Sequence, residues 1–329
     1  MQTLRCALLA IVFTLLGQSF CQDTALAQNK AQPQSALTPM QLLQTSRYSQ
    51  ALPSFKQMSQ AQPRDLSIQY YLGVAASGAR DYDLAELAFS RVIVGSTINS
   101  PFVTTARQQL ARLPHKYYPQ CCLQNEKTHR WSPSAYPIRI FISDGRTIPG
   151  TAGGIMTMSE YKAAEVTVKT RYTSMPRSAT YKSEYSQYVR DGLKAWDWAV
   201  AGKLLSYTFV TDPTKADIVV LFCETCKSGE AGFALYPWFY KQPEFVWMAC
   251  AKYSEYDQSD VKYIMARTAA HEFGHCWGLQ HSEVQGDLML AKGWNNEQKQ
   301  SQDLCSPSDK ISLSALYTMP ADINYIPVE

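Results

Sequence analysis

The sequence predicts an α+β protein in two parts: an N-terminal α-helical repeat region, then a mixed β-sheet region built around one long helix. Three observations carry this. Tyr48-x-x-Ala51-x-x-x-Phe55 recurs as Tyr82-x-x-Ala85-x-x-x-Phe89, a helical pattern repeated 34 positions on. Beyond Tyr136, β-branched apolar runs alternate with helical patterns. Late in that series stands His271-Glu272-Phe273-Gly274-His275-Cys276-Trp277-Gly278-Leu279-Gln280-His281, a helical spacing followed by a glycine break.

Residues 1–27 carry the marks of an export signal. Arg5 gives a positive start, residues 6–16 are an apolar run too short to span a bilayer, and Ala25-Leu26-Ala27 is a small-x-small cleavage site. The mature chain is expected to begin at Gln28. A lipid anchor at Cys21 is the rival reading, but Gln18-Ser19-Phe20 lacks the small residues that lipid attachment wants. No later segment is apolar enough to span a membrane, so a periplasmic or extracellular protein without stable membrane insertion is expected. A net charge of +3 over 329 residues gives no argument for nucleic acid or an anionic membrane as partner. Residues 28–36, rich in Gln, Ala, Pro and Ser, read as a flexible leader.

The repeat region occupies residues 37–114. Leu72-Gly73 stands in the first helix of the second copy, and Pro63 closes the copy before it. These positions resemble the tetratricopeptide repeat, whose alanine and phenylalanine pack one helix against its partner. Two copies are fewer than the three such arrays need, so the unit should lean on a capping helix at 102–113 or on the next domain. The resemblance implies a concave surface for a protein partner; a plain helical bundle is the alternative. As a scaffold for recognition, the region should be separable from a second domain that folds from about Lys116 onwards.

Residues 115–130 read as a linker and 131–329 as the second domain. Tyr136-Pro137-Ile138-Arg139-Ile140-Phe141-Ile142 is a strand pattern. Between 143 and 182 lies a Gly-, Thr-, Ser- and Tyr-rich stretch, expected to hold a hairpin around Glu165-Val166-Thr167-Val168-Lys169, or a lid. Val189, Leu193, Trp196 and Val200 predict a helix within 185–202. Residues 205–210, 216–222, 231–238 and 245–249 read as strands, the second nearly all apolar, as a strand buried on both faces should be. Ser259-Asp260 can cap a helix running to Leu279, with Val261, Ile264, Met265 and Thr268 towards the sheet. Ser306-Pro307-Ser308-Asp309 opens a last helix.

On the long helix His271 and His275 lie four residues apart, so both imidazoles leave one face one turn apart. Gly278 can adopt the left-handed conformation that ends a helix, and His281 then returns towards the same point. Three neutral imidazoles can share one zinc ion and leave a fourth tetrahedral position open, as catalytic sites do. Glu272 projects beside them, where a general base belongs. The bland reading is a surface helix that carries histidines by accident; against it, three of the five histidines in the chain fall in these eleven residues.

His-Glu-x-x-His-x-x-Gly-x-x-His is the metzincin zinc motif. With His281-Ser282 followed by Asp287-Leu288-Met289, the region from Trp131 to Tyr317 resembles the matrixin catalytic domain. The resemblance implies a secreted endopeptidase with one catalytic zinc on His271, His275 and His281, and Glu272 as the base towards water. Met289 would lie in the turn beneath the metal, and the 231–238 strand would pair with an extended peptide substrate. Calcium binding is left open. Leu290-Ala291 departs from the aromatic-proline pair that usually follows the methionine. A binding module with a structural zinc is the rival from another class, against which the intact Glu272 speaks. A hydrolase for non-peptide substrates is the other.

Seven cysteines lie beyond the leader. In an exported protein they are candidates for disulfides, with an odd one left over, and Cys276 is the expected free thiol. Cys223-Glu224-Thr225-Cys226 can be half a metal site or a redox pair, but a structural disulfide is the favoured reading. Cys121-Cys122 is expected in disulfides; the alternative is a thiolate placed on the zinc to keep the enzyme latent.

Overall fold

The computed structural model describes residues 37–325, apart from 98–99, 115–118, 121, 125, 149–156, 228, 236–242, 255 and 292–302. The stretches expected to be an export signal and a leader, Cys121 and the end of the expected 231–238 strand therefore lie outside the described residues. Thr38–Glu329 form one compact unit. Among the described residues no helix is long and apolar enough to cross a membrane.

Five helices come first: α1 (Pro39–Gln44), α2 (Tyr48–Ala61), α3 (Leu66–Gly78), α4 (Tyr82–Val94) and α5 (Pro101–Leu110). Except for α2, their starts follow from side chains that satisfy the first free N–H groups. Thr38 and Gln41 form a capping box, Asp65 accepts from Ser67 and Ile68, and Ser100 precedes a proline at the first turn. The recurring Ala51, Phe55, Ala85 and Phe89 are all buried between helices. Gly73 is needed there: a Cβ would stand 2.6 Å from the Phe89 ring.

After a short hairpin of β1 (Leu123–Gln124) and β2 (Lys127–Trp131) comes β3 (Ile138–Ile142), then α6 (Met158–Arg171), α7 (Tyr185–Leu193) and α8 (Asp197–Ala201). The chain continues through β4 (Tyr207–Phe209), β5 (Ile218–Cys223), β6 (Gly232–Ala234), β7 (Glu244–Ala249) and α9 (Cys250–Tyr253). It ends with α10 (Gln258–Cys276), α11 (Pro307–Tyr317) and β8 (Ile323–Tyr325). The main sheet has the order β4-β3-β5-β7-β6. All its pairings are parallel except the last, where β6 runs antiparallel on the edge. Alternation along the strands splits the core. Ile140, Val220, Phe222, Val246 and Met248 join the cluster that holds the buried faces of α7 and α10, while Phe141, Val219, Leu221, Phe245 and Trp247 join the one that holds Tyr161, Ala164 and Val168 of α6.

Several expectations are corrected. The stretch Glu165–Lys169 is neither hairpin nor lid but the middle of α6. Its β-branched residues suggested a strand, yet Tyr161, Ala164 and Val168 are buried at helical spacing and Val166 faces water. Thr157 and Glu160 form a capping box at its start, and the Thr167 and Thr170 hydroxyls bond back to carbonyls one turn earlier. The expected 185–202 helix is interrupted by a 3₁₀ turn at Lys194–Trp196. The helix expected to reach Leu279 ends at Cys276.

No disulfide joins Cys122, Cys223, Cys226, Cys250, Cys276 or Cys305. The Cys223 and Cys226 sulfurs are 3.9 Å apart, well beyond the roughly 2.05 Å of a bond, so the expected structural disulfide is absent. All six are buried; burial raises the Cys250, Cys276 and Cys305 thiols, and the hydrogen bond with Cys223, then burial, raises Cys226, so they behave as core side chains.

The helices meet the sheet region through the C-terminal segment. Arg91 Nε donates to Thr318 Oγ1 at 3.2 Å, Arg64 donates to the Ala321 carbonyl, and the Cys122 N–H donates to the Val94 carbonyl at 3.2 Å. Val94 belongs to the same apolar cluster as α7, α10 and α11. β8 pairs in parallel with β2, and the Asp322 carboxylate accepts from the Thr128 N–H and hydroxyl, each at 2.8 Å.

Candidate metal centre

α10 lays its apolar face on the sheet and turns its last two turns towards a cleft of about 710 Å³. His271 and His275 point into that cleft from one helical face, as the four-residue spacing requires. Gly278 ends the helix at φ +96°, and a Cβ there would stand 2.1 Å from the His129 carbonyl oxygen. Only glycine fits this bend. The chain then brings back His281, and the ligand atoms of the three histidines all lie within 4.8 Å of one another.

The protein chooses the tautomers. His271 Nδ1 is 2.7 Å from the Leu288 carbonyl and His275 Nδ1 is 2.9 Å from the Leu279 carbonyl. A carbonyl can only accept, so both Nδ1 atoms carry the proton and both Nε2 lone pairs are left for a metal. His275 Nε2 and His281 Nε2 are 3.2 Å apart. Nitrogens held about 2.0–2.1 Å from a tetrahedral zinc stand at about this separation, so the donor set fits that ion. Burial pushes His271 down to about 4 and His275 well below the usual imidazole range; it lowers His281 too. All three are thereby kept neutral, the form that binds metal.

Glu272 lies on the same helix, 7% exposed. Burial raises its carboxyl to about 8, with the Ala234 N–H working against that and Glu230 adding to it. The edge strand β6 passes directly over it. A Cβ on Gly232 would be 2.7 Å from Thr268 Cγ2 and 2.9 Å from Glu272 Oε1, so this glycine permits the approach. The sequence reading did not single it out.

Met289 is fully buried beneath the helix, its sulfur 2.2 Å from where a Cβ of Gly274 would be. Its carbonyl accepts from the Ser282 N–H at 2.8 Å, tying the turn to the residue after His281. The start of α11 secures this turn. Asp309 accepts from the N–H groups of Leu288 (2.8 Å), Met289 (3.3 Å) and Ser306 (2.8 Å). Asp287 accepts from the Ser282 and Ser306 hydroxyls, and Arg267 donates to its carbonyl at 3.1 Å. The roles of Asp309 and Arg267 were not expected. The capping motif Ser306-x-x-Asp309 marks a helix start, but nothing in it tells of a turn twenty residues away.

Among the described residues no thiol joins the histidines. The Cys122 thiol is buried in the core and directed at the Gln120 carbonyl, 3.6 Å away, so the latency idea finds no support in Cys122; Cys121 lies outside the described residues.

No curated protein matches the chain. Residues 162–318, just under half of the chain and including the three histidines, Glu272 and Met289, match the model of the matrixin family, which supports a metzincin-like zinc metalloendopeptidase domain.

Proposed function

We propose that the protein is an exported zinc endopeptidase in which His271, His275 and His281 hold the metal and Glu272 is the general base. The observation that carries this is the convergence of oriented imidazoles beside a buried carboxylate under an open sheet edge. Zinc bound there supplies Lewis-acid polarisation of a peptide carbonyl and of the attacking water. Glu272 takes the proton from that water and passes it to the leaving amine. Near a dication its carboxyl is expected to fall from the raised value that burial chiefly gives it.

Among the described residues β6 pairs only with β7 and leaves its other edge towards the cleft, so an extended peptide can add as a further strand. Leu288 and Leu290 offer apolar contacts beside it. Gly278 and Met289 support the site without binding metal. The division proposed for the chain is an export signal at 1–27, a leader at 28–36, tetratricopeptide-like helices over 37–114, a linker at 115–130 and the protease over 131–329. The helices are proposed to recruit protein partners.

The test is digestion of an unstructured protein such as casein. Cleavage should stop with a zinc chelator and return with about one equivalent of zinc. Zinc binding without cleavage of any protein would favour the binding module with a structural metal instead.

A further inference from the structure

We propose that Gln120 is a positioning residue for the metal-binding turn: its amide braces the bend between His275 and His281 from behind. The inference rests on the zinc reading above and deepens it. Three of the bend's carbonyls are held by side-chain donors. Trp131 Nε1 donates to the Cys276 carbonyl at 2.9 Å, the His275 ring donates to the Leu279 carbonyl at 2.9 Å, and Gln120 Nε2 donates to the Gln280 carbonyl at 2.8 Å.

The last bond matters most. The Gln280 carbonyl belongs to the peptide unit that leads into His281, so fixing it fixes the plane from which that side chain departs. The neighbouring Leu279 carbonyl sets the tautomer of His275, so a bend free to rock would disturb two of the three ligands together. On its inner side the bend presses against β2, where Gly278 leaves no room for a Cβ before the His129 carbonyl.

Gln120 is itself held firmly. It is 5% exposed, and its N–H donates to Ser312 Oγ at 3.0 Å, while that hydroxyl donates to the Ser308 carbonyl at 2.6 Å within α11. Two residues on, the Cys122 N–H is anchored to the end of α4. A buried amide fixed at its backbone and aimed at a carbonyl 160 positions away is a brace, because both partners would lose a hydrogen bond if the bend moved.

The test compares zinc affinity, by competition with a chromophoric chelator, with melting of the metal-free protein. Gln120→Ala removes the side chain; Gln120→Met keeps its length but has no polar hydrogen to donate. Both should bind zinc about tenfold more weakly than wild type, as loss of supporting groups does elsewhere. Trp131→Phe, which removes only the indole N–H, should weaken it in the same direction and serves if neither Gln120 variant folds. Gln69→Ala is the control: that buried glutamine donates to Ser59 and Pro63 and accepts from Arg91, with no contact to the bend, and its loss should lower melting while leaving zinc affinity unchanged. Folded Gln120→Met with wild-type zinc affinity would overturn the brace, as would an equal loss in Gln69→Ala. Wild type that binds no zinc would defeat the zinc reading itself and the brace with it; wild type that binds zinc while the Gln120 variants bind it equally defeats the brace alone.

Discussion

At the scale of single residues, the proposed site separates holding a metal from moving a proton. Glu272 is not among the three converging imidazoles, so Glu272→Gln should retain zinc at one equivalent and the wild-type fold. Its rate should fall by about 10²–10⁴-fold, the range for loss of a general base. A variant that keeps its turnover with zinc bound would remove Glu272 from the mechanism. The histidines make a pH prediction for the chelated protein. Burial holds folded His271 at about 4, below the 6.5 of an unfolded imidazole. Its contribution to stability is thus present above pH 6.5 and is lost as pH falls through about 4, since the unfolded chain takes up the proton first. Asp309, raised to about 6 by burial, acts with the opposite sign at overlapping pH. The informative quantity is therefore the melting temperature of wild type minus that of His271→Gln. It should shrink from pH 7 to pH 4, and a constant difference would contradict the assignment.

At the scale of elements, what positions Glu272 is the nearness of β6 to α10. Gly232→Ala would drive a methyl into Thr268 and Glu272, so the strand or the base must shift by several tenths of an ångström. The expected result is a kcat reduced about tenfold or more with zinc binding intact, because misplacement by a fraction of an ångström is costly in such sites. Unchanged kcat would mean that the strand gives way freely. In the same way Asp309→Ala strips Leu288, Met289 and Ser306 of an acceptor and should cost about 2–4 kcal/mol, read as a lowered melting temperature. These elements also show what a sequence can reveal. The helix, its glycine stop and the returning histidine were legible because their geometry is set within eleven residues by the helical repeat and one positive φ. Gly232, Asp309 and Gln120 were not, since each acts on a residue that folding alone brings near. The misreading of α6 has another cause: Val166, Thr167 and Val168 favour strands locally, while burial of Tyr161, Ala164 and Val168 on one helical face decides otherwise.

At the scale of the whole molecule, the N-terminal helices are built into the unit that carries the three converging histidines. Arg64 and Arg91 reach the segment after α11, Val94 lies in the core that α10 shares, and β8 continues that segment against β2. β2 in turn backs the bend at Gly278. The sequence suggested a detachable recognition scaffold, because a 34-residue period signals an array but says nothing of the surface against which the array rests. A chain beginning near Lys116 would lose the partners of Thr318, Ala321 and Cys122 and expose the apolar side of α11 that α4 covers. The expected outcome is a melting temperature lower by about 10 °C or more, since each kcal/mol moves a domain of this size by roughly 2–4 °C and several are at stake. Zinc affinity should fall with it, because the segment that braces the bend loses its anchor at Val94. Supplying the helices in trans, as a separate chain ending near Pro114, should restore part of both. A truncated protein that melts like the full chain and binds zinc equally well would show instead that the helices are an appended module and that their contacts contribute little.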